Sequence, residues 1–156
     1  MLTAGGRMDT SHGKYLAVDY GDVRTGLAEC DPSGLIATGF ATLRESGMRH
    51  TAERVAAEAK ARGCRKIIVG LPKNMDGTEG FRVQTVRAFI DLLRECTDIP
   101  VDTADERMTT MTAYRFLDAT GTHGAKRRGA VDALSAEIIL QDYLDRERRL
   151  SQDASR

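Results

Sequence analysis

The spacing of apolar residues changes its period after Leu43, and this change constrains the fold more than any other feature of the sequence. Before it, short apolar runs with strand character are separated by turn residues, as in Asp31-Pro32-Ser33-Gly34. Three strands are predicted there, at Lys14–Asp19, Gly26–Glu29 and Leu35–Leu43. Because short turns connect them, the three strands should form an antiparallel meander.

After Leu43, helical patterns alternate with short β-prone runs. Apolar residues from Met48 to Ala59 lie on one helical face, and Gly63 supplies a C-terminal stop. The remaining elements are expected in this order: a buried strand at Lys66–Gly70, a helix capped by Thr78, a strand at Pro100–Ala104, a helix from Thr109 or Thr110 to about Ala119, a Gly-rich basic loop at Thr120–Gly129 and a helix from about Ala130 to Arg149. Strands separated by helices pair in parallel.

Three antiparallel strands followed by parallel α/β units match the ribonuclease H-like architecture, an α/β fold in which helices flank a mixed five-stranded sheet. With 156 residues, no repeat of fixed period and no Pro-rich linker, the chain should form a single domain over residues 14–150. Residues 1–13 are expected to be a flexible extension and residues 151–156 a frayed tail. In open sheets of this kind the active site lies at the carboxyl ends of the central strands.

Composition excludes several classes of protein. The longest apolar run, Tyr15–Val18, is far shorter than a membrane span, and the first 13 residues lack the apolar core of a signal peptide, so a cytoplasmic protein without membrane contact is expected. The three cysteines form no C-x-x-C pair, which predicts reduced, mostly buried thiols. Basic and acidic residues number 23 each, and this balance argues against a generic basic coat for nucleic acid.

Three acidic residues stand where they could meet. Asp19 and Glu106 are expected at the ends of neighbouring parallel strands, and Asp132 in the first turn of the final helix. Taken singly, each has an ordinary explanation: a turn cap, an ion pair with Arg107, or a favourable helix-dipole interaction. Taken together at one end of the sheet, they form the oxygen-rich set that Mg²⁺ or Mn²⁺ prefers, and such ions support phosphodiester hydrolysis. The pattern therefore indicates a metal-dependent nuclease.

Four separated motifs carry a family resemblance. They are Val18-Asp19-Tyr20-Gly21 with Arg24 and Gly26, Val69-Gly70-Leu71-Pro72 with Met75-Asp76-Gly77, Asp105-Glu106-Arg107 with Thr109-Thr110, and Val131-Asp132 with Ala136 and Ile139-Leu140-Gln141. In this order, over residues 14–144, they closely resemble the YqgF/RuvX family, whose members are described as pre-16S rRNA nucleases and as Holliday junction resolvases of ribonuclease H-like fold. The resemblance implies that Asp19, Glu106 and Asp132 are catalytic and bind the metal. Ser135 departs from the family, which usually has Ala there, and this small-for-small change should leave the helix packing intact.

The candidate substrate-binding residues surround these acids. They are Gly21, Arg24, Gly26, Lys73, Arg107, Lys126, Arg127 and Arg128. Gly21 and Gly26 permit a positive φ or the close approach of a phosphate backbone, although ordinary turn glycines would look the same. Arg24 has two possible roles: it could bind a phosphate, or it could form a surface ion pair with Asp22. The phosphate contact is favoured. Lys73, near a helix N-terminus, is interpreted as an anion contact.

The basic run Lys126–Arg128 directly precedes the helix that begins near Asp132, so its proximity favours contact with phosphates over a merely solvated basic face. Aromatic residues make up 5% of the chain and are not clustered near these charges, so stacking on bases is not evident. We therefore expect recognition of backbone shape and charge, with a steep dependence on salt.

The leading hypothesis is an enzyme that processes the 5′ end of pre-16S rRNA. A Holliday junction resolvase is the alternative, because branched DNA also presents phosphates; two symmetric cuts would require a homodimer, whereas rRNA processing is open to a monomer. A noncatalytic nucleic-acid-binding or ribosome-assembly module is a hypothesis of another class, and the set of three acids argues against it. A phosphotransferase of the actin and sugar-kinase type would need a second domain, for which 156 residues leave no room.

Overall fold

A computed structural model of the chain describes residues 13–72, 80–105 and 124–154, and of residues 124–132 it describes the backbone alone. The strands are β1 at Lys14–Asp19, β2 at Thr25–Cys30, β3 at Ala37–Leu43, β4 at Cys64–Leu71 and β5 at Val101–Asp105. The helices are α1 at Met48–Ala61, α2 at Phe81–Cys96 and α3 at Gly124–Ala154. Apart from Gly13, the expected N-terminal extension lies outside the described residues, as does the helix expected from Thr109 or Thr110 to Ala119.

The five strands form one mixed sheet in the order β3-β2-β1-β4-β5. β1 pairs antiparallel with β2 and β2 with β3, whereas β4 lies parallel to β1 and β5 parallel to β4. The predicted meander followed by parallel units is therefore confirmed. The parallel strands β1, β4 and β5 end at the same side of the sheet, at Asp19, Leu71 and Asp105, and we call this side the carboxyl edge.

Helices cover both faces of the sheet, and alternate residues of β1 belong to different apolar cores, as the two-residue period of a strand requires. Leu16 and Val18 pack with α1 and α2, whereas Tyr15 and Ala17 pack with α3. The buried α3 residues in the second core are Ala136, Ile139, Leu140 and Leu144, which are spaced as one face of a helix. Coverage on both faces agrees with the nearly continuous apolar sequences of the parallel strands.

The two helices on one face begin and end for different local reasons. α1 ends as predicted, because Gly63 adopts a φ of 69° that terminates a helix. The start of α2 was predicted wrongly: its N-cap is Gly80, with no side-chain hydrogen bond, and Thr78 lies outside the described residues. Glycine is tolerated at an N-cap, so the preference for threonine did not decide the boundary. The apolar stripe from Val83 to Leu93 is buried as predicted.

The final helix is longer at both ends than its apolar pattern indicates. It begins at Gly124, so Lys126–Arg128 belong to α3 and not to a loop, and it ends at Ala154, within the tail expected to fray. Ala, Lys and Arg are good helix formers, and the single Gly129 costs only about 1 kcal/mol relative to Ala, so an established helix can extend through both segments. None of the described helices combines the length and apolarity needed to cross a membrane.

The third strand begins later than predicted, at Ala37 instead of Leu35. The Asp31 carboxylate accepts hydrogen bonds from the backbone N–H groups of Leu35 at 2.9 Å and Ile36 at 2.8 Å, and Gly34 adopts a φ of 74°. These bonds close a turn that takes both apolar residues out of the ladder. Side-chain turn chemistry therefore overrides the apolar pattern at this position.

Candidate active site

Asp19 is the last residue of β1 and lies half-buried at the carboxyl edge. Ala17, two residues earlier, packs in the core beneath α3, and strand alternation places Asp19 on that same face. Its register partner on β2 is Gly26. The carboxylate thus stands at the end of the central strand, on the face of the sheet that α3 covers.

The position beside Asp19 on β4 carries no side chain. Val18 pairs with Val69, so the following residue, Gly70, is level with Asp19. Gly70 in turn pairs with Ala104 of β5. Because residues paired in parallel strands share a face, a glycine and an alanine form the floor of the α3 face between Asp19 and the end of β5. Such a floor leaves room for a bound group above it.

The strands that end near the first two predicted acids are not neighbours, contrary to the sequence-based expectation. β4 lies between β1 and β5, so the backbones of the two outer strands are two strand spacings apart, roughly 9.6 Å. Glu106 follows Asp105, the last residue of β5, and lies outside the described residues. Carboxylates on strands at this spacing can share a bound group without touching each other.

The third predicted acid, Asp132, lies on the helix that covers this face. Ala136 is fully buried, and Asp132 precedes it by one helical turn. The helix approaches β3 closely, since the carbonyl oxygen of Ala133 is 2.6 Å from the position that a Cβ atom would take on Gly39. A side chain at residue 39 would push α3 away from the sheet, so this glycine helps to set the position of the helix.

Polar side chains of α3 also satisfy the outer edge of β3. The Glu137 carboxylate accepts the backbone N–H of Gly39 at 2.8 Å, and the Gln141 side-chain oxygen accepts that of Ala37 at 2.9 Å. The Gln141 amide donates back to the carbonyl oxygen of Leu35 at 2.9 Å. An edge strand would otherwise present unpaired backbone groups, so these bonds both protect the sheet and fix the register of the helix against it.

The geometry of the turn between β1 and β2 explains why residue 21 is a glycine. A Cβ atom on Gly21 would lie 2.2 Å from the carbonyl oxygen of Arg24, so the close approach of the chain's own backbone requires glycine there. The Thr25 hydroxyl bridges this turn, accepting the Gly21 N–H at 3.4 Å and donating to the Gly21 carbonyl at 3.3 Å. A positive φ at Gly21 or Gly26 was a wrong alternative. In the part of the chain that the structure describes, positive φ occurs at Gly13, Gly34, Gly47 and Gly63.

Arg82, in the first turn of α2, holds the residues that follow β1. Its guanidinium donates to the carbonyl oxygen of Tyr20 at 2.5 Å and lies 3.7 Å from the carboxylate of Asp22. The Tyr20 ring stacks on Phe89 with 4.3 Å between centroids, and burial raises the pKa of its hydroxyl. Asp22, the alternative surface partner of Arg24 in the sequence, thus lies beside Arg82. Arg24 lies half-buried in the same turn.

A second polar cluster ties α3 to the opposite edge of the sheet, where the parallel strands begin. Lys66 donates to the Tyr143 hydroxyl at 2.8 Å, and that hydroxyl donates to Asp102 at 2.7 Å. Glu147 accepts the Tyr15 hydroxyl at 3.2 Å and lies 3.5 Å from Lys66. Burial and the hydrogen bond to Asp102 raise the pKa of Tyr143. The pKa of Asp102 is lowered: burial alone would raise it, but the hydrogen bonds from Tyr143 and Thr103 and the nearby cations Lys66 and Arg94 outweigh burial. This cluster fixes the helix far from Asp19.

Among the predicted catalytic acids, Asp19 is the one whose side chain the structure describes. Gly21, Arg24 and Gly26 are also described. The remaining predicted site residues either lie outside the described residues or belong to the part of α3 described by its backbone: Lys73, Glu106 and Arg107 in the first group, and Lys126, Arg127, Arg128 and Asp132 in the second. Within the described residues no group of three His, Cys, Asp or Glu side chains could hold a metal ion. The meeting of the three acids stays a prediction.

Several residues that shape the site were not singled out from the sequence. Gly70 belongs to a recognised motif, and a glycine inside a β-branched strand is itself a signal of close approach by another group. Gly39 and Arg82 give no such signal, because each contacts a residue that is distant in the sequence. Gly39 lies against Ala133, and Arg82 bonds to Tyr20. Their importance follows from the packing of elements and not from local pattern.

Comparison with known proteins agrees with this geometry. Residues 13–146 match the model of a protein family described as "RuvX: Holliday junction resolvase". A protein of Kineococcus radiotolerans named "Putative pre-16S rRNA nuclease" is 43% identical over 87% of this chain and 73% of its own length. A protein of the same name from Thermoanaerobacter pseudethanolicus is 40% identical over 86% of this chain and 98% of its own.

Solved structures share the fold at low sequence identity. The structure of T. thermophilus RuvC in complex with a Holliday junction substrate superposes with a TM-score of 0.51 at 13% identity, covering 86% of this chain and 96% of that one. The Fowlpox virus resolvase in complex with Holliday junction DNA gives a TM-score of 0.52 at 12% identity, covering 85% of this chain and 97% of that one. The predicted ribonuclease H-like architecture is therefore confirmed.

Proposed function

Because the chain belongs to the RuvX family, we propose that it is a nuclease that uses Mg²⁺ or Mn²⁺ to hydrolyse phosphodiester bonds of structured nucleic acid. Asp19 is the observation that carries this proposal. Its half-buried carboxylate ends the central strand, is level with Gly70, which has no side chain, and lies on the face covered by α3. Carboxylates placed at such a strand end are the oxygen ligands that hard divalent cations prefer.

The donor chemistry of the proposed site fits Mg²⁺ or Mn²⁺. Asp19, Glu106 and Asp132 would hold the ion, and all three are oxygen donors. The Sγ atom of Cys30 accepts the backbone N–H of Tyr15, and Cys64 is level with Lys14, so both buried thiols lie at the opposite edge of the sheet and neither joins this donor set. When bound, the cation supplies activation of water and stabilisation of the leaving oxygen.

The other proposed site residues would bind the nucleic-acid backbone. Arg24 lies in the turn that follows Asp19, where a guanidinium can form paired hydrogen bonds to a phosphate. Lys73, Arg107 and the basic run Lys126–Arg128 would neutralise further phosphates. The absence of side chains at Gly21 and Gly26 would leave room for the nucleic-acid strand. Contacts of this kind make affinity fall steeply with salt and carry little sequence information.

The substrate that we propose first is the 5′ end of precursor 16S rRNA, because the curated relatives carry that substrate in their name. Such a substrate implies action in the cytoplasm, by a monomer or a homodimer. The family description favours four-way DNA as the second candidate, for which two symmetric cuts would require a homodimer.

Side-by-side cleavage tests this proposal. Precursor 16S rRNA and a synthetic four-way junction are incubated with the wild-type protein and with Asp132→Asn, at one salt concentration, with Mg²⁺, Mn²⁺ or a chelator. We expect divalent-dependent cleavage of the rRNA near its mature 5′ end by the wild type, and its loss in the variant.

Two results would contradict the proposal in different ways. Preferential, symmetric cutting of the junction would replace the proposed substrate while retaining the nuclease. Tight binding without cleavage of either molecule under any divalent ion would instead indicate a noncatalytic nucleic-acid-binding or ribosome-assembly module.

A further inference from the structure

Phe81 is the most exposed large apolar side chain in the described part of the chain, at 83% of its surface. It is the first residue of α2, and the apolar stripe of that helix faces inward without it. The other aromatic residues with described side chains are buried or half-buried. Its exposure thus sets Phe81 apart from the other aromatic residues with described side chains.

Phe81 begins α2 next to a residue that contacts the turn after Asp19. The next residue, Arg82, donates to the carbonyl oxygen of Tyr20, which directly follows Asp19. The same guanidinium lies 3.7 Å from Asp22. Phe81 is thus one residue away from a side chain that holds the turn immediately after the proposed catalytic acid.

A second exposed apolar side chain belongs to the same rim. Val23, at 68% exposure, follows Asp22 in the turn held by Arg82. Single exposed apolar residues are common on protein surfaces and need no explanation. Here, however, the two most exposed ones lie on segments that Arg82 links, at the carboxyl edge, whereas Leu35 and Leu150 lie on the turn before β3 and near the end of α3.

We propose that Phe81 stacks on a base of the substrate strand near the cleaved phosphodiester bond, where that strand passes over the carboxyl edge from the α3 face, on which Asp19 lies, to the face covered by α2. This proposal rests on the nuclease function proposed above. An exposed aromatic ring on the first residue of a helix is suited to stacking, which tolerates any base because every base has a π-face. Stacking would therefore add affinity and fix the position of the strand without sequence readout, alongside the phosphate contacts.

A binding experiment with a base-deletion control tests this role. Asp19→Asn serves as the background so that the strand is bound but not cut, and Phe81→Ala, Phe81→Tyr and Leu150→Ala are introduced into it. Each protein is titrated with a precursor 16S rRNA fragment, and with the same fragment made abasic at each of the three nucleotides on either side of the bond that the wild type cuts.

We expect Phe81→Ala to weaken binding of the intact fragment by about tenfold, within the range for one stacked base. Phe81→Tyr should bind as the background protein does, and so should Leu150→Ala, which removes another exposed apolar side chain near the far end of α3. At one abasic position the loss caused by Phe81→Ala should disappear. The fluorescence of a 2-aminopurine placed there should be quenched by the background protein and by Phe81→Tyr alike, and should be recovered with Phe81→Ala.

Two results would overturn the role proposed for Phe81. One is equal affinity of Phe81→Ala and the background for the intact fragment; another is a loss that persists at every abasic position, which would mean that the ring contacts the backbone or supports the fold. If the wild type cleaves nucleic acid in a divalent-dependent way while either of these holds, the role of Phe81 fails alone. If the wild type neither binds nor cleaves, the nuclease function fails with it.

Discussion

The backbone carbonyl oxygen of Ala133, in α3, lies 2.6 Å from the point where a Cβ atom would stand on Gly39 of β3. Real Cβ atoms do not approach oxygen so closely, so the helix rests against the sheet only because residue 39 has no side chain. This contact is one turn along α3 from Ala136 and next to Asp132. It therefore connects the packing of the edge strand to the position of a proposed catalytic acid.

Gly39→Ala should lower the free energy of unfolding by about 1–3 kcal/mol, the usual cost of forcing extra atoms into a packed interface. It should also reduce cleavage, because α3 must move. Urea denaturation and cleavage rate measure the two effects. Thr38→Ala, at the exposed neighbouring residue, is the control and should change neither substantially. Unchanged stability of Gly39→Ala would show that α3 does not need this close approach.

Asp19→Asn should keep the fold and lose divalent-dependent cleavage. Groups that merely support a metal ligand contribute roughly 10- to 100-fold, so loss of a ligand itself should cost more than about 100-fold in rate. Single-turnover cleavage in Mg²⁺ and circular dichroism are the measurements. Asp98→Asn, an exposed acid ahead of β5, is the matched control and should cleave normally. Wild-type rates in Asp19→Asn would remove Asp19 from the active site.

Ser135→Ala should stabilise the protein by about 1 kcal/mol. Ser135 is fully buried, and its hydroxyl has no hydrogen-bond partner among the described residues. A buried hydroxyl without a partner costs roughly 1–3 kcal/mol, part of which the small void left by the oxygen offsets. Urea denaturation measures the difference between wild type and variant, of which roughly 0.5 kcal/mol comes from the better helix propensity of alanine. Destabilisation by Ser135→Ala would show that the hydroxyl is bonded.

Glu137→Ala should destabilise the protein by about 1–2 kcal/mol, because it leaves the backbone N–H of Gly39 without its 2.8 Å acceptor. Glu137→Gln keeps an acceptor oxygen at the same place and should cost less. Thermal and urea denaturation of both variants give the comparison. Equal losses in the two would mean that the charge of Glu137, and not the hydrogen bond to the edge strand, stabilises the fold.

The turn before β3 should make stability depend on pH below 5. Hydrogen bonds from the Ile36 N–H and the Ser33 hydroxyl hold the pKa of Asp31 at about 2, below its value of about 3.9 in an unfolded chain. A lowered pKa in the folded state stabilises the protein above pH 4, and this contribution is lost as the pH falls toward 2. The stability difference between wild type and Asp31→Asn should therefore shrink over that range.

Ser33→Ala, which removes one donor to the same carboxylate, should behave in an intermediate way. Denaturation curves at pH 2, 3, 4 and 5 for the three proteins provide the measurement. A stability difference between wild type and Asp31→Asn that stays constant over this range would contradict the assigned hydrogen bonds.

Local pattern in the sequence was sufficient for the order and type of the described elements. The strands, the α1 stop at Gly63 and the buried stripe of α2 follow from periods and turn residues that a chain carries within a few neighbouring positions. Boundaries were less accurate where two local preferences compete. The N-cap of α2 is Gly80 and not the expected Thr78. The N-terminal end of α3 lies at Gly124, earlier than expected, because the basic residues there favour helix.

Local sequence was enough for the fold class and the family, because strand and helix periods and short motifs are properties of adjacent residues, whereas the catalytic role of Asp19, Glu106 and Asp132 stays a prediction. Tertiary structure alone decided that β4 separates the strands ending at Asp19 and Asp105, that Gly39 receives α3, and that Phe81 is exposed beside the turn after β1. These are contacts between residues far apart in the chain, and no local period encodes which element will pack against which. The shape of the site therefore depends on tertiary contacts.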